Sequence, residues 1–271
     1  MDTSERNLMS HFAACHPGEW EPSRAAISGL AKTFADGYRQ AMHQHRRGQL
    51  IYACRGVMEI ITAQGRWRVP PQRAIWMPAG VEHQLLAHGE VELRSLYLAA
   101  DAVPAHFPSQ PRAVTVTPLL RELILQALAF TADGPQDRRQ HLLLALIPEE
   151  VQWSAEQALY LPQPGDARLQ RICSVLLQHP ADARSLAQWG ELAGASSRTL
   201  ARLFQQELGM SYRLWRQQLT VQAALPRLAQ GEQVSRIASD LGYDTLGAFG
   251  ALFRRLMGVS PSAYAQSLQQ P

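Results

Sequence analysis

The stretch QVSRIASDLGYDTLGAFGALFRRLMGVSP, Gln233–Pro261, decides how the last third of this chain folds. It reads as a short helix over Gln233–Leu241, a turn at Gly242-Tyr243, and a second helix over Thr245–Met257 that stops at Gly258. Upstream, SLAQWGELAGASSRTLARLFQQELGMS, Ser185–Ser211, repeats the plan. It has a helix Ser185–Glu191, a turn around Gly194-Ala195-Ser196 and a helix Ser197–Gln206, with Ser196 as a cap. Each unit is a helix-turn-helix, the arrangement that sets its second helix in a major groove. Ser211–Gln230 joins the two and, at 1.5 Å per residue, predicts a ruler of roughly 30 Å. Pro226 within it predicts a kink or break in the last turn.

The faces of the two second helices divide by polarity. Leu200, Leu203 and Phe204, and then Phe249, Leu252, Phe253 and Leu256, recur at helical spacing and are expected in the core. The opposite face of the first shows Ser197, Arg198, Thr199, Ala201, Arg202 and Gln205. Arg198 and Arg202 stand one turn apart, so both can reach guanine edges or phosphates. The second offers Leu246, Gly247, Ala248, Gly250 and Ala251, none with a polar side chain to read a base edge. Thr245, Arg254 and Arg255 are its candidates for phosphate contact. Asp244 is expected as a cap. Direct readout is therefore expected in the first helix, with shape and methyl contacts in the second.

These spacings carry a resemblance. Ile237-Ala238, Leu241-Gly242-Tyr243, Phe249, Phe253-Arg254-Arg255, Gly258, Ser260-Pro261 and Tyr264 resemble the DNA-binding domain of the AraC/XylS transcriptional regulators. Leu186-Ala187, Ala193, Ser196, Arg198-Thr199-Leu200, Arg202 and Phe204 extend it to the first unit. The resemblance implies a transcription factor on an asymmetric promoter site of double-stranded DNA, with RNA polymerase as a further contact if it activates.

From Ser28 to Leu98 the pattern changes to short apolar runs, QLIYAC, VMEIITA, RWRV, AIWMPAG, HQLLAH and VELRSLYL, separated by Arg55-Gly56, Gln64-Gly65, Pro70-Pro71 and His88-Gly89. Strands at spacings of about ten residues predict a small antiparallel barrel or sandwich. His43, His45, Gln49 and Gly56, followed by Pro78, Gly80 and His83, resemble the two cupin motifs, which implies a metal held by His43, His45, Gln49 and His83. His43 and His45, two apart on a strand, face one side. Gln49 stands where many cupins carry Glu, so the set is one charge short. Three imidazoles and an amide oxygen still suit a divalent transition metal, and histidines bonded only to each other or to a ligand remain the other reading. Tyr52, Trp67, Trp76, Met77 and Tyr97 are candidate walls for a small-molecule effector. The remaining histidines, His88 among them, are read as surface.

Together these predict an α+β chain of two domains. A tail occupies 1–25, a cupin-type sensor barrel 26–105, a connector with a helical pair (Pro118–Phe130 and Arg138–Ile147) 106–163, and an all-α double helix-turn-helix domain 164–271. The apolar pair is read as a dimerisation surface, or as packing on its own barrel. The net charge of +3 hides an asymmetry: residues 1–163 hold 15 Lys+Arg against 16 Asp+Glu, and residues 164–271 hold 11 against 7. Lys32 is the one lysine, so every other cationic contact is an arginine fork. With 46% apolar and 18% charged residues the chain is a globular one. Cys15, Cys54 and Cys173 are isolated, which argues against a disulfide scaffold or zinc finger. No leader-like or membrane-length apolar run is present, so the expected place is the cytoplasm, with no membrane partner. The expected function is an effector-modulated regulator rather than an enzyme. The alternative is a metal-dependent dioxygenase or isomerase fused to a DNA-binding domain.

Overall fold

Alternation of apolar and polar residues between Ile27 and Leu98 produces six strands, as a period of two requires. They are β1 (Ile27–Phe34), β2 (Arg39–His43), β3 (Gly48–Ile61), β4 (Gly65–Val69), β5 (Arg73–Met77) and β6 (His83–Leu98). The computed structural model describes residues 25–130, 136–154 and 159–268, so the tail, Cys15 and most of the break between the paired helices lie outside the described residues. All pairings are antiparallel, and the main path runs β1-β6-β3-β5. Two of the sequence breaks are not turns. Arg55-Gly56 and His88-Gly89 lie inside β3 and β6, the first as a register shift in the ladder. Gly56 has φ +78°, and a Cβ there would stand 2.3 Å from the Glu90 carbonyl oxygen. Only glycine fits this approach, so the pair bends instead of ending.

The segment 106–163 holds more than a helical pair. It adds β7 (Arg112–Thr115) on β5, β8 (Gln152–Trp153) on β7, and β9 (Tyr160–Pro162) on β4. Between them lie α1 (Pro118–Leu128), capped by Thr117, and α2 (Arg138–Glu149), begun by a capping box of Asp137 and Gln140. Leu120, Leu123, Ile124, Leu144 and Ile147 pack with Leu50, Tyr52, Trp76 and Leu96 of the sheet in one apolar cluster. A second cluster, with Ile51, Met58, Ile60, Trp67, Met77 and Leu93, fills the other face of the same strands.

The remaining helices are α3 (Ala167–Gln178), α4 (Leu186–Ala193), α5 (Ser197–Leu208), α6 (Tyr212–Ala229), α7 (Val234–Asp240), α8 (Leu246–Met257) and α9 (Pro261–Ser267). Asp166, Ser185, Ser196, Ser211 and Ser260 each accept a first-turn N–H as caps. In the second unit the cap is Thr245, whose hydroxyl accepts from Ala248 N, rather than Asp244. Helix α6 continues through Pro226 for three residues before it ends, so the expected break comes no earlier than the helix's own terminus. At the first turn, a Cβ on Gly190 would stand 2.3 Å from the Ala195 carbonyl oxygen. That glycine lets the two helices of the unit close.

Two cores hold this domain, one around Trp189, Phe204 and Trp215, the other around Phe249, Phe253 and Tyr264. Strand β9 joins them to the sheet. Its backbone pairs with β4, and Tyr160 stacks on Trp67 with ring centroids 4.5 Å apart. Leu159 and Leu161, on the opposite side, enter the second and first helical cores respectively. Leu161 within β9 and Leu159 just before it thus make one short segment a member of both domains. Among the described residues no helix is long and apolar enough to cross a membrane.

Candidate functional site

The histidines converge as the resemblance to the cupin motifs implies, by a route the strand rule does not supply. His43 ends β2 directly opposite His83 of β6, across a ladder that shifts register between Gln40 and His43. His45 lies past the end of β2, where its carbonyl accepts the Gly80 N–H at 2.8 Å. Ring centroids of His43 and His83 are 4.3 Å apart, and the ligand nitrogens of all three histidines lie within 4.8 Å of one another. All three are buried. Nδ1 of His43 lies 2.9 Å from the Ala41 carbonyl and Nδ1 of His83 lies 3.0 Å from that of Val81, which orients the rings. The Gln40 amide nitrogen stands 3.2 Å from His43 Nε2.

Burial pushes the His43 imidazole below its ordinary range. Burial and the neighbouring imidazoles push His45 and His83 to about 4. The rings are therefore neutral near pH 7, the form that donates a lone pair to a metal. Gln49 is 5% exposed; its amide donates to Tyr97 Oη at 3.1 Å and Ser95 Oγ at 3.3 Å, while its Oε1 has no partner among the described residues. A buried acceptor without a donor fits a cation beside it. The free volume at this point is about 20 Å³, room for an ion or a water and not for an organic effector.

Of the four aromatic residues expected to wall the effector site, Tyr97 lies here, its ring 5.0 Å from that of His45. Tyr52 and Trp76 face the other side of the sheet in the cluster beneath α1 and α2, because they alternate with Ile51 and Met77. Trp67 is covered by Tyr160.

In the helical domain Ser197, Arg198, Ala201, Arg202 and Gln205 are exposed on one face of α5, with Leu200, Leu203 and Phe204 buried on the other. Thr199 is half-buried, its hydroxyl 2.9 Å from that of Ser196. Arg202 donates to Gln206 at 3.0 Å. On α8, Leu246, Gly247, Ala248, Ala251, Arg254 and Arg255 are exposed. Arg255 is already engaged: it donates to Gln217 of α6 at 2.8 Å and ties α8 to α6. The Thr245 hydroxyl is likewise occupied by its capping bond.

A charged cluster escaped the sequence reading. Glu59 is 3% exposed on β3 and is paired with Arg66 at 2.8 Å and Arg68 at 3.2 Å. His88, expected at the surface, has its Nε2 3.0 Å from Glu59 Oε2 and 2.9 Å from Arg68 Nη1. Burial alone would raise the Glu59 carboxyl. The His88 hydrogen bond and the two guanidiniums outweigh it and hold the group at about 2. Glu59 alternates with core residues Met58 and Ile60, a signal that was present in the sequence but does not specify a partner.

With this geometry in hand, comparisons with known proteins agree on both halves. The family model described as the AraC-like ligand binding domain matches residues 24–147, and a helix-turn-helix domain model matches residues 189–267. The chain is 33% identical over 252 residues to the HTH-type transcriptional regulator NimR of Escherichia coli, covering 92% of each. It is 33% identical over 103 residues to the HTH-type transcriptional regulator RipA of Corynebacterium glutamicum, covering 38% of this chain and 31% of that one. Among solved structures, ToxT from Vibrio cholerae aligns over 90% of this chain and 100% of its own at 10% identity and a TM-score of 0.39.

Proposed function

The chain belongs to the AraC family of DNA-binding transcriptional regulators, with an N-terminal ligand-binding domain and no enzymatic role, and on that premise we propose how it reads its promoter and what its sensor holds. Helix α5 supplies direct readout through Arg198 and Arg202, with Ser197, Thr199, Ala201 and Gln205 completing the face. Helix α8 docks by close approach of Leu246, Gly247, Ala248 and Ala251, with Arg254 on phosphate. The observation that carries this is the exposure of both faces on helices whose other sides are core. Capture of genomic fragments by the purified full chain tests it. A discrete promoter site contacted in two major-groove segments about 34 Å apart is expected; indiscriminate fragments would overturn it.

Gly250 of α8 has nothing within 4 Å of an added Cβ, so packing does not require it. Alanine there is expected to stabilise the helix by about 0.8–1 kcal/mol while weakening promoter binding, because the methyl occupies the space into which DNA fits. Denaturant unfolding and a binding titration on the same variant check both signs.

In the sensor domain, His43, His45, His83 and the Gln49 amide oxygen are the groups that would hold a divalent transition metal, which would supply a Lewis-acidic centre with room beside it for no more than a water-sized donor. The buried, mutually close imidazoles and the unpartnered Gln49 Oε1 support this reading. Titration of the full chain with Co²⁺ is expected to produce visible absorption that is lost when all three histidines become glutamine. Gln49→Glu is expected to tighten binding by restoring an anionic ligand. No absorption in the wild-type chain defeats the metal assignment. The regulator acts as a homodimer through the outer sides of α1 and α2, which bury one face on the sheet and leave Leu119, Leu142 and Leu146 exposed.

A further inference from the structure

A second cavity lies where the two domains meet. It has a volume of about 240 Å³ and is lined by Arg66 of β4, Leu161 and Pro162 of β9, Cys173 and Ser174 of α3, and Trp215 of α6. Trp215 is 1% exposed, and its indole N–H has no acceptor among the described residues. An indole can only donate, so a buried one without a partner costs free energy until an acceptor reaches it. Arg66 brings the charge. One carboxylate, Glu59, serves both Arg66 and Arg68, and Arg66 uses one of its five N–H donors on it. No Asp or Glu lines the cavity. The Cys173 thiol, which burial raises to about 12, stays protonated. Gln163, Pro164, Gln170 and Leu177 complete the lining, with the apolar surface gathered at Leu161, Pro162 and Leu177.

We propose that this cavity binds a small organic carboxylate, whose oxygens accept from the Trp215 indole N–H and the Arg66 guanidinium while its apolar body lies against Leu161, Pro162 and Leu177. The donor set asks for an acceptor-rich anion, and the volume restricts it to a compact one, below the usual range of drug-sized pockets. Such a ligand bridges β4 and β9 of the sensor to α3 and α6, the elements through which the sheet grips both helical cores. Its effect on promoter binding rests on the regulator reading above. Its binding does not, and is measured on the full chain without DNA, so the two fail separately.

The test uses acetate, butyrate and benzoate as probes, with benzylamine as the cationic counterpart of benzoate. In a ¹⁵N spectrum the Trp215 indole signal is identified by its loss in Trp215→Phe. At least one carboxylate is expected to move that signal downfield and to titrate with one site per chain. Trp215→Phe is expected to weaken binding about tenfold or more, the effect of a lost hydrogen bond to a charged acceptor. Ser174→Leu, a change at an exposed position on the cavity wall, closes the space without disturbing the core and is expected to abolish binding. An indole signal unmoved by all three carboxylates overturns the proposal and leaves a solvent-capped indole. So does equal movement by benzylamine, or unchanged affinity in Ser174→Leu.

Discussion

Replacing Arg198 and Arg202 together by alanine is expected to weaken binding to the specific promoter site by about a hundredfold or more while leaving the fold intact. Each bidentate arginine contact to guanine is worth about 1–3 kcal/mol of discrimination, and each 1.4 kcal/mol is about tenfold in affinity. Both side chains are exposed, and neither belongs to the core of Leu200, Leu203 and Phe204 that holds α5 in place. Unfolding midpoints therefore stay near the wild-type value. Single variants should lose preference at separate base positions, whereas Arg254→Ala, a phosphate contact, should weaken binding evenly across sequences and lower the salt slope by about one. Fluorescence anisotropy with the mapped site and single-base variants of it distinguishes these results. Unchanged affinity and sequence preference in the double variant defeats the assignment of readout to α5.

The largest effect on stability is expected from Glu59→Ala. The carboxylate is nearly inaccessible and faces two guanidiniums, of which Arg68 is itself largely buried, with 13% of its side chain exposed. Removing it leaves uncompensated charge in a low-dielectric site, a loss of about 3–5 kcal/mol. The pH dependence has a definite sign. A carboxyl held at about 2 in the folded chain, against 4.5 ordinarily, contributes stability that is fully present above pH 4.5 and lost as pH falls through 4.5 towards 2. Denaturant unfolding between pH 7 and pH 3 is expected to show this loss in the wild-type chain and not in Glu59→Gln. A Glu59→Ala chain as stable as wild type would mean that the two arginines are served by solvent.

The helical domain was the most legible part of the chain, because its signals are local. Serines one residue before an apolar period, Ser196 and Ser211, placed those helix starts to within a residue, and Gly258 placed the end of α8. The exception, Thr245 in place of Asp244, is a choice between two adjacent oxygen-bearing caps that local sequence does not resolve. In the sheet the same glycine signal misled. Gly56 and Gly89 have φ +78° and +75° as a turn would require, yet each sits within a long strand whose partner continues alongside. A bend and a turn need the same backbone angles, and only the pairing partner tells them apart.

Residue identity and spacing alone determined the double helix-turn-helix and the alternation of the sheet, since each follows from a period of two or 3.6 along the chain, whereas the grouping of His43, His45 and His83 was legible only through the resemblance to the cupin motifs. Tertiary structure decided what faces what. It turned Tyr52 and Trp76 away from the histidines, placed Glu59 between two arginines, and made β9 a strand of one domain that, with Leu159 just before it and Leu161 within it, completes the cores of the other. It also brought Arg66 and Trp215, 149 positions apart in sequence, to the walls of one cavity. Such contacts depend on packing between elements far apart in the chain, and no local pattern encodes which distant surface an outward-facing side chain will meet.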